Sequence, residues 1–402
     1  QAALRYLLFA LVGSMLYLLG AVLLYGAYGT LDIAQLAAVV RPGPLTWTVL
    51  ALMTGGLLAK TALFPLHLWL PPAHAGAPAA ASAILSALVI KGSWFLVVRL
   101  WFDVMPGIVT FSAAQLLGAL GALAIVAGSV VALRQQRLKL LVAYSTIAQI
   151  GYLFLMFPLA FDPVKGMLVD GVALQGGLLQ AVSHAMGKAS MFLSAGLVYL
   201  ALGHDRISGM AGLGRAMPVT LLAFALSGLA LMGVVPSGAY LAKKLLLEGA
   251  DASAQWWWAL VLQGGAVFTA GYLVWVLRNM LRKPVGPLPT LKRVARRSEY
   301  AALALALCSL LLALSAFGPL PSALLSSAFS AREWLTILLV VSGGAVLTFG
   351  LAPGEHAGPR REAAGVAFER GDEWLRRWGV ASVSLMMLVG SFALLLFIGS
   401  PG

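Results

Sequence analysis

Charged residues are scarce in this sequence. Asp, Glu, Lys and Arg make up 10% of its 402 residues, whereas about a quarter of the residues in a soluble domain are charged. Hydrophobic residues account for 61%, and apolar runs recur that are long enough to cross a hydrocarbon layer of about 30 Å. The sequence therefore predicts an all-α polytopic membrane protein, and it excludes soluble enzymes, secreted disulfide scaffolds and disordered proteins.

Motifs that hold metals or redox cofactors are also missing. The single cysteine, Cys308, lies in an apolar run and says nothing about the redox compartment. The sequence has no His-Glu-x-x-His motif, no cysteine pair and no P-loop. We therefore expect no metal, flavin, iron–sulfur or quinone site in this chain. Any redox chemistry coupled to it would belong to partner subunits.

Apolar runs bounded by charged residues, glycine or proline predict eleven membrane spans. They cover residues 4–26, 45–71, 77–101, 112–133, 140–158, 173–202, 217–247, 255–281, 299–318, 334–351 and 379–399. When the loops alternate between two sides, one side receives 18 Lys and Arg residues and the other receives four. The positive-inside rule places the richer side in the cytoplasm. The basic run 292–297 is then a cytoplasmic loop rather than a nucleic-acid patch.

Five lysines fall within the spans, whereas all 14 acidic residues can be placed in loops or at span ends. An ammonium group near the bilayer centre costs on the order of 3 kcal/mol, so such lysines are expected to face protein or water and to be functional. Desolvation favours the neutral amine, which enables proton exchange. The lysines are Lys60, Lys91, Lys188, Lys243 and Lys244; Lys244 is the one most simply explained by snorkelling from a span end.

Two of these lysines lie close to a proline that interrupts a span. Pro65 follows Lys60, and Pro236 precedes Lys243. The two spans are five apart and so cross in opposite directions, which is typical of an inverted-repeat transporter with broken helices along its ion path. Ordinary proline kinks in packed helices are the alternative. In a third span, His184 and Lys188 share one helix face, so they form a candidate proton-relay step.

Four segments resemble the antiporter-like subunits of respiratory complex I, membrane-bound hydrogenases and Mrp cation/proton antiporters. They are residues 60–71 (KTALFPLHLWLP) with the segment that follows up to Lys91, residues 137–152 (RLKLLVAYSTIAQIGY), residues 184–188 (HAMGK) and residues 233–243 (GVVPSGAYLAK). On the family's layout of fourteen core helices, Lys60, Lys91, Lys188 and Lys243 match lysines of the seventh, eighth, eleventh and twelfth helices. The same motifs make His67, Tyr144 and Ser145 secondary site residues.

The chain departs from the family pattern in two places. The first five helices of the layout are absent, and with them the glutamate that pairs with the residue at Lys60. We therefore expect either a truncated sequence or a separate chain that supplies this half. Val235 also replaces one of two prolines that are common in the fourth motif.

A polar insert follows the tenth span. In residues 360–378, apolar side chains recur at helical spacing opposite a charged face, which predicts a short amphipathic interfacial helix. We divide the chain into a translocating core (1–281), a cytoplasmic basic loop (282–298) and C-terminal helices (299–402).

The leading hypothesis is a proton-translocating subunit of a larger membrane complex, driven by redox partners of the NADH/quinone or hydrogenase type. Protons would pass from Lys60 through Lys91, His184 and Lys188 to Lys243. The alternatives are an Mrp-type Na⁺/H⁺ antiporter or ion-coupled uptake subunit, and a silent membrane scaffold. In each case we expect neighbouring membrane subunits, no nucleic acid, and an inner (cytoplasmic) bacterial membrane or an equivalent energy-coupling membrane.

Overall fold

The computed structural model describes residues 2–284, 291–315 and 330–351, and these residues are almost entirely helical. Eight helices in these ranges are long and apolar enough to cross a membrane. The helices are α1 (Ala2–Tyr28), α2 (Ile33–Val39), α3 (Pro44–Thr61), α4 (Leu70–Gly76), α5 (Ala79–Ile84), α6 (Ile90–Val98), α7 (Phe111–Arg134), α8 (Leu138–Leu159), α9 (Val172–Leu202), α10 (Leu213–Ala216), α11 (Pro218–Met232), α12 (Gly238–Ala252), α13 (Trp256–Leu281), α14 (Arg296–Ser315) and α15 (Ala331–Leu351).

Helix α8 is the centre of the bundle. Every one of its residues is buried, and α7, α9, α4 and α13 pack around it. The outer helices α1 and α15 instead expose large apolar side chains, including Leu18 and Leu338. Such surface is stable in hydrocarbon and costly in water. The chain is therefore a multi-pass α-helical membrane protein.

Two spans are broken where the sequence has proline. Helix α3 ends at Thr61, Ala62 adopts a left-handed conformation, and the chain resumes as a 3₁₀ turn over Leu66–Trp69 that leads into α4. Helix α11 ends at Met232 with left-handed Gly233, and α12 starts after Ser237, whose hydroxyl accepts a hydrogen bond from the backbone N–H of Tyr240 at 3.1 Å. Proline cannot donate a helical hydrogen bond, so neither span continues as a single α-helix.

The span that follows the first break contains two wider turns. Helices α5 and α6 are joined by a π-helical turn over Leu85–Val89, and a second π-helical turn over Arg99–Val104 follows α6. Such turns are frequent at functional sites because they shift the backbone hydrogen bonds by one residue. Lys91 lies directly after the first of them.

The basic connections meet at one end of the bundle. The Arg137 guanidinium binds the Asp205 carboxylate at 2.9 Å, and the N–H of Leu138 donates to the carbonyl of Asp205 at 2.7 Å. The N–H of Gly212 donates to Arg282, and that of Lys292 donates to Ala201. These contacts hold the loops after α7, α9 and α13 together at the same end of the bundle. This is expected when successive spans cross the membrane in alternating directions.

The structure differs from the sequence-based expectations in the connections. The second span does not stop at residue 71, because α4 continues to Gly76. Helix α2 and a two-stranded hairpin, Phe161–Asp162 with Met167–Leu168, occupy stretches expected to be plain loops. Helix α14 starts at Arg296, inside the expected basic loop 282–298. The predicted eleventh span and the amphipathic segment 360–378 lie outside the described residues.

Glycines allow α7 and α8 to approach closely, and this contact gives a test of the packing. A Cβ atom added to Gly151 would lie 2.3 Å from the carbonyl oxygen of Gly121. We expect Gly151→Val to destabilise the folded subunit by about 1–3 kcal/mol, because an overpacked core must shift. Gly264→Val is the matched control, since no atom lies within 4 Å of its added Cβ. Thermal unfolding of the purified complex in detergent should show a lower midpoint for Gly151→Val alone; equal midpoints would contradict the packing.

Candidate functional site

Lys188 lies in the middle of α9 and is completely buried. Its Nζ donates a hydrogen bond to Oγ of Ser145 on α8 at 2.5 Å. No ion pair involves Lys188 among the residues that the structure describes. A buried ammonium without a carboxylate partner is costly, so the position is suited to a lysine that exchanges its proton.

Lys91 occupies a similar position in the segment that packs against α9. It is buried, and its Nζ donates to the carbonyl oxygen of Ser86 within the π-helical turn. The hydroxyl of Ser86 lies 3.3 Å from the hydroxyl of Thr146 on α8. The adjacent side chains of Ser145 and Thr146 on α8 therefore contribute hydroxyl groups to the polar surroundings of both lysines.

Two buried histidines lie near the same lysines. His184, one turn before Lys188, is fully buried and lies within electrostatic range of both Lys91 and Lys188. His74, on α4, is fully buried, stacks on Phe192 with 4.3 Å between the ring centroids, and lies within electrostatic range of the same two lysines. Within the described ranges, no protein group hydrogen-bonds to either imidazole. Buried imidazole nitrogens normally have hydrogen-bond partners, which sets these two rings apart from ordinary core histidines.

Lys139 links this cluster to the basic end of the bundle. It lies in the first turn of α8, and its Nζ donates to the carbonyl oxygen of Ala77 at 2.8 Å. His74 lies within electrostatic range of Lys139 as well as of the two central lysines. Titratable groups thus extend from the basic end, through His74, to Lys91 and Lys188.

Lys60 lies apart from this cluster. Its Nζ donates to Oγ of Ser14 on α1 at 3.1 Å, and its stem packs against the same helix at Gly13. In the described part of the chain, the side chain that hydrogen-bonds to this lysine is therefore the Ser14 hydroxyl. His67, after the break, stacks on Phe64 at 5.3 Å between ring centroids and is partly buried.

Lys243 occupies a separate site at the second break. It lines a cavity of about 280 Å³ together with Lys244, Tyr240, Gln263 and Glu333. Gly233 and Val234, which follow the end of α11, also line the cavity. The lysine at the second break is thus surrounded by polar groups from three helices.

A chain of uncharged polar side chains crosses the bundle beside Lys188. Gln149, one turn after Ser145 on α8, accepts a hydrogen bond from Nε2 of Gln180 on α9 at 3.0 Å. Its own amide donates to the hydroxyl of Thr269 on α13 at 3.4 Å. Helix α9 packs against α12 near Gln180, because Leu179 contacts Leu241. This chain therefore extends from the Lys188 region towards the helix that carries Lys243.

Several of these residues escaped the sequence analysis. His74 fell into an expected loop, although it follows His67 by seven residues, two helical turns, and so would share its face. Glu333 was assigned to a span end. Nothing in the sequence marked Gln149, Gln180 and Thr269 as site residues, because uncharged polar residues are common within apolar runs. Tyr144, named as a secondary residue, is buried on α8.

No three His, Cys, Asp or Glu side chains come together as a metal site in the described part of the chain.

The sequence matches the family described as "NADH:quinone oxidoreductase/Mrp antiporter, TM" over residues 1–269. It is 35% identical over 287 residues to NADH-quinone oxidoreductase subunit N of Desulforudis audaxviator, covering 70% of this chain and 55% of that protein. It is 27% identical over 301 residues to F420H2 dehydrogenase subunit N of Methanosarcina mazei, covering 71% of this chain and 58% of that protein. The chain thus spans little more than half of their length.

The fold is similar to those of subunits in two solved membrane complexes. One is a chain of the Mrp complex from Dietzia sp., with a TM-score of 0.69 at 22% identity, covering 87% of this chain and 68% of that one. The other belongs to a membrane-bound sulfane sulfur reductase, an archaeal respiratory complex, with a TM-score of 0.68 at 26% identity and the same coverage.

Proposed function

The chain belongs to the NADH:quinone oxidoreductase/Mrp antiporter transmembrane family, and from this premise we propose that it translocates protons as one subunit of a multisubunit respiratory membrane complex. One observation carries the proposal. Two buried lysines, Lys91 and Lys188, lie next to the hydroxyl groups of Ser145 and Thr146 on α8, and two buried histidines without protein hydrogen-bond partners in the described ranges lie within electrostatic range of both.

Protons would enter from the basic end of the bundle. In this proposal they reach the central cluster past Lys139 and His74, or from Lys60 at the first broken helix. Water beside His74 and His184 would connect the lysines, because both imidazoles can donate or accept a proton. From Lys188 the proton would pass along the hydroxyl and amide side chains towards Lys243.

Repulsion between like charges would drive the steps. A proton on Lys91 makes the ammonium form of Lys188 less favourable, and the reverse also holds, so the two sites titrate as a coupled pair. The low polarity around them strengthens this repulsion. An event that loads one lysine would therefore push the proton on the next one forward.

The proposed architecture is an inverted repeat of about eleven spans with two broken helices at Pro65 and Pro236. It is supported by the two interruptions, each with a lysine within two turns of the proline. Residues 1–281 would form the translocating core, 282–298 a cytoplasmic basic connection, and 299–402 the C-terminal helices with the amphipathic segment 360–378.

We propose that neighbouring membrane subunits surround this chain in a bacterial inner membrane or an equivalent energy-coupling membrane. Relatives are named as subunits of NADH-quinone oxidoreductase and F420H2 dehydrogenase, which supports this setting. Flavin, iron–sulfur clusters or quinone would belong to partner subunits, and this chain would hold none. Native mass spectrometry of the gently extracted complex would identify these partners.

The native complex in proteoliposomes tests the function. We expect proton uptake that requires an electron donor and acceptor and persists without Na⁺. Proton flux that instead requires Na⁺ and needs no electron donor would replace the proposal with an Mrp-type antiporter. Electron transfer with no proton movement attributable to this subunit would instead support the third hypothesis, a silent membrane scaffold.

A further inference from the structure

The cavity at Lys243 contains an acidic residue from a helix outside the family match. That match ends at residue 269, whereas Glu333 lies in the first turn of α15. Four residues of α15 line the cavity: Glu333, Thr336, Ile337 and Val340. They face Tyr240, Lys243 and Lys244 of α12. Helix α15 therefore completes the surroundings of the lysine at the second break.

Contacts between α13 and α15 hold Glu333 in this position. The hydroxyl of Thr348 donates to the carbonyl of Gly271 at 2.8 Å, and the backbones of the two helices approach closely at Gly344. At the other end of the contact, Gln263 and Glu333 line the same cavity. The two helices thus run in the same direction. The backbone N–H of Glu333 is also capped by the hydroxyl of Ser330 at 3.3 Å.

Lys243 and Glu333 interact across the cavity without direct contact. Their opposite charges are close enough to attract each other, yet neither residue takes part in the three ion pairs found in the described part of the chain. Both side chains are only partly buried, and the cavity of about 280 Å³ has room for several water molecules. A pair that served only to stabilise the fold would be expected to touch directly.

We propose that Glu333 is the proton acceptor for Lys243, so that α12 and α15 together form the last step of the path. This inference rests on the proposed function. The Lys243 ammonium gives its proton to the Glu333 carboxylate through intervening water, which leaves a neutral amine and a carboxylic acid. The acid then releases the proton to water, and the carboxylate is restored. The hydroxyl of Tyr240 lines the same cavity as a further polar group and lies close to the Glu333 carboxylate.

The test compares protons moved per electron pair in proteoliposomes that contain the native complex with wild-type subunit, Glu333→Gln, Glu333→Asp or Glu248→Gln. Glu248 is the matched control because it is an exposed carboxylate on α12 and does not line the cavity. We expect Glu333→Gln to lower proton flux by about tenfold or more, because it removes a positioned proton acceptor. Glu333→Asp should retain most of the flux, and Glu248→Gln should match wild type.

Flux is counted per assembled complex, and Glu333→Ala replaces Glu333→Gln if the latter does not assemble. Glu333→Gln flux equal to that of Glu248→Gln would overturn the inference. Flux of Glu333→Asp as low as that of Glu333→Gln would also overturn it, because it would indicate a packing role. Combining Glu333→Gln with Lys243→Gln should lower the flux no further than Lys243→Gln alone. Wild-type flux in Lys243→Gln would instead contradict the proposed function itself.

Discussion

Lys188→Ala is expected to abolish proton translocation, with a loss of about a hundredfold or more, while the subunit still assembles. Lys188 is fully buried, and its ammonium is held by Ser145 alone among the hydrogen bonds of the described residues. Alanine removes the proton-exchanging group at the centre of the path. It also removes a buried charge that lacks a carboxylate, so little stability should be lost beyond the cavity that it leaves.

Lys165→Ala provides the control for this prediction. Lys165 lies in the exposed hairpin after α8, 3.8 Å from the Asp162 carboxylate. Both variants are reconstituted with the native partner subunits, and initial proton uptake is measured at equal electron-transfer rate. Lys165→Ala should pump like wild type. Unchanged pumping in Lys188→Ala would remove this lysine from the path.

His74→Phe is expected to lower proton translocation by about tenfold or more. The phenyl ring preserves the stacking on Phe192, which has 4.3 Å between ring centroids, but it has no nitrogen that can carry a proton. His74 lies within electrostatic range of Lys139 as well as of Lys91 and Lys188, so its loss should interrupt the proposed route from the basic end to the central cluster.

His204→Phe is the control, because His204 lies in the connection after α9, where its Nδ1 accepts a hydrogen bond from the N–H of Arg206 at 3.3 Å. Initial rates of proton uptake and the amount of assembled complex are measured for both variants. A His74→Phe variant that pumps as fast as His204→Phe would show that protons reach Lys188 by another route, such as Lys60.

The central cluster could be predicted in part from the sequence. A lysine in an apolar run is conspicuous because burying its charge is costly, and this singled out Lys91 and Lys188. The partners of these lysines could not be found in this way. Ser86 and Thr146 are ordinary residues in a helical run, and their hydroxyls meet only because the π-helical turn and α8 pack together.

Residues near the ends of spans were harder to place. His74 and Glu333 lie where hydropathy changes, and a boundary shift of a few residues turns a buried side chain into an apparent loop residue. For Lys60, the sequence revealed the residue but not its hydrogen-bond partner. Its residue type and its proline were visible, but its contact with Ser14 depends on how α1 packs against α3.

The sequence by itself determined the helical membrane class, the positions of most spans and the lysines that must avoid lipid. These follow from local composition, because each apolar run exchanges water for hydrocarbon independently of its neighbours. Only the tertiary structure decided which polar groups share a site. His74 comes within electrostatic range of Lys91 and Lys188, and Glu333 lines one cavity with Lys243, although these residues are far apart in the chain. Such contacts depend on how whole helices pack, and composition carries no information about that.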